Sequence, residues 1–405
     1  MKTQRIIDLI CLKGVLERPM ETAFPNRISG RFTILYWMTI FFLSFFIMSM
    51  AAASASTIIQ VSCGNLHSLA LQSDGIVLAW GQNMHGQLGD GTNTNRKTPV
   101  QVKGLRGVTA VAGGAWHSIA LTSDGTVWAW GGNWSGQLGN GTTKSINKPS
   151  RVSGLKDITA IASGGLHNLA LKSDGTVWTW GRNVYGQLGD GTTTDRRTPV
   201  QTRNLNSVIF ITGGAYHNLA QKADGTIWAW GFNQYGQLGD GSITNRTIPI
   251  QVSGPKDISM VDCGGDHSIS LKNDGTVWVW GLNQYGQLGD SSTDNKSTPS
   301  LLNKLKDIDR IKGGGDHTVV LKLDGTLWAW GNNRSGQLGN GTTISSAIPV
   351  QVSALHNVIA VACGDQHNIA LKPDGTMLTW GLNSTGQLGD GTVSNRTTPV
   401  LVRMK

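Results

Sequence analysis

Residues 113–149 read GGAWHSIALTSDGTVWAWGGNWSGQLGNGTTKSINKP. The segment HSIALT alternates apolar and polar residues, and after Asp124-Gly125 comes the aromatic, β-branched TVWAW. Asp-Gly between two such runs predicts a tight hairpin, because Gly takes a positive φ freely and Asp tolerates it. A Gly-rich turn, GQLG, and a short Pro-containing segment of edge-strand character follow. No window keeps a 3.6-residue apolar period free of Gly, so a helical reading fails.

This stretch recurs. GQLG begins at Gly86, Gly136, Gly186, Gly236, Gly286, Gly336 and Gly386, always 50 residues apart. His67, His117, His167, His217, His267, His317 and His367 keep the same step, as do Trp80, Trp130, Trp180, Trp230, Trp280, Trp330 and Trp380. Residues 158–203 show what one unit holds: ITAIA, HNLALK, TVWTW and PVQT, four candidate strands. A period near fifty with Gly and Trp landmarks marks a propeller, one small sheet per unit. Seven equal units without polar end caps suit a closed ring better than an open solenoid. The predicted fold class is therefore an all-β, seven-bladed β-propeller, with repeats starting near 57, 107, 157, 207, 257, 307 and 357. The array lacks a PVQV-type strand ahead of its first unit, so the reading leans to a clasp in which residues 57–62 join the last unit's sheet.

The units resemble the RCC1 repeat (regulator of chromosome condensation), whose pattern is GGxHxxAL…DGxVxxWGxNxxGQLGxG…P. Residues 113–149 match it throughout, and the resemblance extends over 349 of the 405 residues. It implies a seven-bladed propeller and leaves activity open, since the family contains exchange factors, photoreceptors and inhibitors. Secreted bacterial propellers of this family that inhibit β-lactamases are similar in architecture, with short loops and an aromatic face.

The chain has 405 residues, 34 basic and 25 acidic, with 54 Gly, 15 Trp and 4 Cys. Glu occurs only at Glu17 and Glu21, which argues against a helical bundle. Four widely spread cysteines exclude a small disulfide scaffold or a structural zinc cluster. Residues 32–50, FTILYWMTIFFLSFFIMSM, carry no charge, follow Arg27 and Arg31, and precede AAASAS. That order predicts a secretory signal over residues 1–55, cleaved after Ala55, or else an N-terminal membrane anchor. Residues 56–405 are then the propeller, secreted or held outside the cytoplasm. Six basic and three acidic residues lie in the first 55, leaving 28 and 22, a net charge of +6. So mild a charge supports solubility more than nucleic-acid binding, and no nucleic-acid partner is expected.

Positions that repeat seven times serve the blade. The seven His residues are read as structural, each closing a Gly-rich turn, and not as a metal ring. The seven Trp residues named above are expected between neighbouring blades, where a large flat ring fills the gap. A second aromatic, Trp128, Trp178, Trp228, Trp278 and Trp328, becomes Leu78 and Leu378 in the end units, so the seam should pack differently. Cys63, Cys263 and Cys363 share one place filled elsewhere by Gly or Ser. They read as small inert thiols, although Cys63 and Cys363 become neighbours on closure and a disulfide is conceivable. LGDGT suggests calcium only weakly, because Asn140 and Asn340 replace the carboxylate and a turn needs no ion.

Function belongs where the units differ. In an up-and-down blade, the loop before each His and the loop before each GQLG emerge on one face. All four tyrosines beyond residue 55, Tyr185, Tyr216, Tyr235 and Tyr285, lie there with Trp116, Trp134 and Phe232. Asp266, Asp316 and Asp365 form an acidic sector beside them. Large aromatics dominate interface hot spots, so the predicted partner-binding set is these seven aromatics with Asp266 and Asp316. The opposite face carries Lys172, Lys222, Lys272, Lys322 and Lys372 beside the hairpin Asp residues, read as solvated surface or contact with an anionic cell-surface polymer.

No nucleophile elbow, HExxH motif or phosphate loop is present, so no catalytic residue, cofactor or metal is expected. The favoured function is an exported, monomeric, non-enzymatic module that binds an unidentified protein. The alternatives are a guanine-nucleotide exchange factor for a small GTPase and a structural surface or matrix protein. The equal units leave no length for the inserted wedge that the RCC1 resemblance associates with exchange.

Overall fold

The computed structural model describes residues 56–404 apart from 304, so the signal or anchor expected over residues 1–55 lies outside the described residues. Seven four-stranded antiparallel sheets follow one another along the chain. In the first blade they are β1 (Ile58–Cys63), β2 (His67–Gln72), β3 (Val77–Gly81) and β4 (Arg96–Gln101). Each β1-type strand contacts its counterparts in both neighbouring blades, so these strands ring the axis. The architecture is a seven-bladed β-propeller, and no described helix is long and apolar enough to cross a membrane.

Every blade is built from four consecutive strands, which corrects the expected clasp. The last blade runs Ala360–Cys363, His367–Leu371, Met377–Gly381 and Arg396–Leu401, so it fills its own inner and outer positions. No vacancy is left there for residues 57–62, and β1 pairs with β2 instead.

The apolar core lies between blades. One cluster joins Leu69, Leu71, Val77 and Leu88 of the first blade to Val108, Val111, Ala120 and Trp130 of the second. Six further clusters repeat the scheme, and the last brings Ile369, Leu371 and Met377 against Ile58, Val61, Ala70 and Trp80. Closure thus rests on the same apolar contact as every other junction. All seven Trp residues of this row are fully buried.

Each outer strand carries one proline: Pro99, Pro149, Pro199, Pro249, Pro299, Pro349 and Pro399. In β4 the register with β3 shifts between Val100 and Arg96, where Pro99 sits. Proline cannot donate to a ladder, so every exposed sheet edge is blunted against pairing with another chain.

Candidate functional site

Between β2 and β3 the chain turns at Asp74-Gly75, and Gly75 has φ of 80°. This hairpin lies on one side of the ring. The turn after β1 and the loop Asn83–Asn95 lie on the other, which is the candidate recognition face.

The face stands on an inter-blade network that begins at the histidines. The turn itself is closed by backbone, Gly64 N–H to the His67 carbonyl at 2.9 Å. The imidazole lies over Gly64, where a Cβ would collide with it. Its Nε2 therefore points out of the blade and meets Ser118 Oγ of the next at 2.8 Å. The expected turn-closing role is thus taken by the backbone, and the side chain bridges blades. Ser118 Oγ already donates to the Gln87 carbonyl at 2.8 Å, so His67 Nε2 must be the donor. Trp130 Nε1–H donates to the same carbonyl at 2.9 Å.

The pattern repeats at every junction with Ser, Thr or Asn as the acceptor, and His367 meets Ser68 at 3.0 Å to complete the circle. All seven rings are buried, and none of their Nδ1 atoms has a partner among the described residues. Burial holds these imidazoles well below the ordinary range. The values fall to about 3 for His67, His217, His267 and His367, and to about 4 for His117, His167 and His317. The last three face an Asn oxygen, which favours the protonated ring slightly.

The 83–95 loop is shaped by one buried residue. Asn83 accepts from Leu88 N–H at 2.9 Å and donates through Nδ2 to Asp90 and to the carbonyls of Thr92 and Thr94 at 3.1 Å. Asp90 is clamped by Arg96 at 2.6 Å, and the pair recurs at Asp190–Arg196, Asp240–Arg246, Asp290–Lys296 and Asp390–Arg396. Where the acid becomes Asn140 or Asn340, the cation becomes Ile146 or Ser346. The LGDGT motif is therefore a loop clamp. No group of three or more His, Cys, Asp or Glu suited to a metal occurs among the described residues.

On this rigid base the predicted aromatics fall into two clusters and an outlier. His85 meets Trp116 and Trp134 at centroid distances of 5.4 and 4.9 Å. Tyr185, Tyr216, Phe232 and Tyr235 form the second cluster: Tyr185 meets Tyr216 at 5.3 Å and Phe232 at 4.7 Å, and Phe232 meets Tyr235 at 5.8 Å. In both, the loop of one blade leans over the turn of the next. Tyr285 stands apart under the Arg334 guanidinium, 5.2 Å from the ring centre. Trp134 is 44% exposed, while the other six aromatics are half-buried. Sequence reasoning missed His85, Arg182 (5.8 Å over Tyr216) and Arg334, although they occupy the same variable positions.

The acidic sector continues this face. Gln237 Nε2 donates to Asp266 Oδ1 at 3.3 Å, and the Asp365 side chain lies in the space a Cβ on Gly315 would fill. Burial and the neighbouring Asp316 push Asp266 up to about 6. Burial and Asp365 raise Asp316, and burial raises Asp365. No cation pairs with these three among the described residues; Arg334 stacks on Tyr285, and Lys312 reaches Asp262 at 3.4 Å inside the channel. The central channel, about 500 Å³, opens between the turns that carry Trp116, Tyr216 and Asp365.

A seven-bladed propeller with one candidate recognition face is the class that fold and surface define. Comparison with known proteins makes it specific: the RCC1-like domain model matches residues 47–269 and 244–405, and the chain belongs to that family. Human HERC3, described as a probable E3 ubiquitin-protein ligase, is 51% identical over 53 residues, 13% of this chain and only 5% of that protein's length. Prp20p of Saccharomyces cerevisiae, whose structure was described with its binding to Gsp1p and histones, superposes with a TM-score of 0.74 at 24% identity, covering 83% of this chain and 88% of that one. The same yeast protein solved with Kap60 gives 0.74 at 21% identity, covering 97% and 91%. The ectodomain of the Physcomitrella patens receptor kinase CR4 gives 0.50 at 17% identity, covering 80% and 74%. At these identities the structures establish a shared fold. The expected kinship with secreted bacterial β-lactamase inhibitors is corrected by these matches, which give the RCC1-like family and the fold of yeast RCC1.

Proposed function

We propose that this protein is a non-enzymatic, protein-binding propeller whose aromatic face engages a small GTPase and promotes release of its bound nucleotide. The observation that carries the reading is the prebuilt aromatic and acidic face on a propeller of the RCC1 family. The Prp20p likeness, with its named binding to Gsp1p, favours a GTPase over an arbitrary partner. Exchange makes and breaks no covalent bond, so a face without a nucleophile is sufficient. It needs only that the propeller bind the nucleotide-free partner more tightly than the loaded one. The uniform units hold no inserted wedge, so the Asn83–Asn95-type loops must supply the distortion, with Trp134 the most exposed aromatic among them.

A second reading keeps the face and changes the partner. The apolar stretch 32–50 proposes export, and a plant receptor ectodomain shares this fold, so a partner outside the cytoplasm is the competing proposal. Small GTPases loaded with a fluorescent nucleotide separate the two. Accelerated release supports exchange, whereas binding without release leaves only the recognition module. In either case Trp134→Ala or Tyr235→Ala is expected to weaken binding by roughly 2–4 kcal/mol. Lys222→Ala or Lys272→Ala, on the hairpin side, is expected to cost under about 0.5 kcal/mol. Equal losses from both sides in titration calorimetry would remove the aromatic face as the site.

A further inference from the structure

Six of the seven junctions in the ring are crossed by the polypeptide; the junction between the last blade and the first is not. It has no exchanged strand either, since both sheets are complete in themselves. A second belt of inter-blade bonds runs around the channel mouth from backbone N–H groups. Ala115 donates to Gly165, Gly165 to Ala215, Ala215 to Gly265, Gly265 to Gly315, and Gly315 to Asp365, at 2.8–3.2 Å. Among the described residues the belt has no bond from Asp365 to Asn65, or from Asn65 to Ala115. The seam thus lacks the belt bond, as the first-to-second junction does, and it is also the junction that no chain segment crosses.

The cysteines are placed on that seam. Of the seven equivalent positions, Cys263 has Gly213 and Gly313 as its neighbours, whereas Cys63 and Cys363 neighbour each other across the gap. At Gly113 an added Cβ would lie 2.7 Å from the carbonyl carbon of residue 63, so neighbouring inner strands approach closely along this row. The seam keeps the same spacing, because a Cβ on Gly364 would lie 2.6 Å from the Gly64 carbonyl oxygen. Cys63 and Cys363 stand at matching positions of adjacent inner strands that are in contact, and both residues line the channel and are partly exposed.

We propose that Cys63 and Cys363 form a redox-sensitive pair whose disulfide locks the ring covalently at its seam. This goes beyond the binding reading and does not depend on it. Both thiols are free in the structure, and burial raises their pKa, so the thiolate is scarce and exchange with a small disulfide oxidant in the channel is slow. One cysteine thiolate attacks the oxidant's S–S bond and releases one thiolate. The other cysteine then displaces the second thiolate from the mixed disulfide. Two protons and two electrons leave the protein, and the oxidant becomes two thiols. The new bond fixes a loop from residue 63 to residue 363, long enough for a large entropic constraint on the unfolded chain.

The test uses the whole chain carrying Cys11→Ser, incubated native with oxidised glutathione. The expected product has lost two hydrogens and yields one cross-linked peptide pair joining residues 63 and 363, with Cys263 still free. Its melting midpoint should rise by roughly 5 °C and return on reduction with dithiothreitol. Cys63→Ser, which places there the residue found at Ser163, should fold alike, give no link and show no rise. Glutathione adducts without a link, a link formed only after denaturation, or equal reaction of Cys263 would each overturn the proposal.

Discussion

Lowered from pH 7 towards pH 4.5, the protein is expected to unfold in one steep transition. An ordinary imidazole titrates near 6.5, and the seven buried rings do so at about 3–4. Their depressed folded pKa means that the neutral ring is favoured by the fold. Stability is full above pH 6.5 and is lost as pH falls from there towards the folded values, since the unfolded chain takes up protons the fold refuses. Each ring contributes about 1.4 kcal/mol per pH unit in this window, so seven together approach 10 kcal/mol per unit, comparable with the whole stability of an ordinary domain. Asp266, Asp316 and Asp365 act in the opposite sense, because their raised pKa relieves repulsion on acidification, but they are three against seven. Denaturant titrations at successive pH values check this through their slope. A stability flat between pH 6.5 and 5 would refute the neutral ring. His217→Ala should cost roughly 1–3 kcal/mol at pH 7 by stripping Ser268 of its donor, and should make the acid slope shallower.

Replacing Trp230 by Ala is expected to cost about 3–5 kcal/mol, the range for emptying a fully buried aromatic site. The indole fills the contact between the third and fourth blades with Leu169, Leu171, Val177 and Leu205. It also donates to the Gln187 carbonyl at 2.9 Å. That carbonyl keeps its bond from Asn218 at 2.8 Å, so the loss is mainly of packing. Trp228→Ala, two residues along and half-buried under Lys222, should cost clearly less. Equal costs in urea unfolding would mean that the gap between blades is not where the core lies.

Period and residue type made the fold readable. A 50-residue step with Asp-Gly hairpins and paired aromatics admits little but blades, and the Trp rows fall between blades as flat rings in twisted sheets must. Blade phasing was not readable, because strand pairing depends on which neighbour fills each edge, and no single unit records that. Nor was the destination of the His side chain. Its proximity to Gly64 suggests a local bond, yet the ring packs on that Gly through Cε1 and Nδ1 and sends Nε2 to residue 118, a partner 51 positions away. The clamp of the long loops was legible but unread, in the joint replacement of Asp and Arg by Asn140 with Ile146 and by Asn340 with Ser346. The face was visible as a set of variable aromatics. Its division into two packed clusters depends on the lean of one blade's loop over the next.

The circle of imidazoles has a sense of rotation. Every Nε2–H points to the blade that follows, so the seven bond dipoles run head to tail around the axis and their components across it cancel. This ring of bonds therefore favours no one side of the channel mouth. Differences in potential around the rim are written by residues that vary between blades, in this chain by Asp266, Asp316 and Asp365 on one arc and by rings on the other. Rewriting those few positions changes what the surface attracts without altering the joinery beneath it. A propeller of this kind can thus diverge in specificity while its blades remain interchangeable.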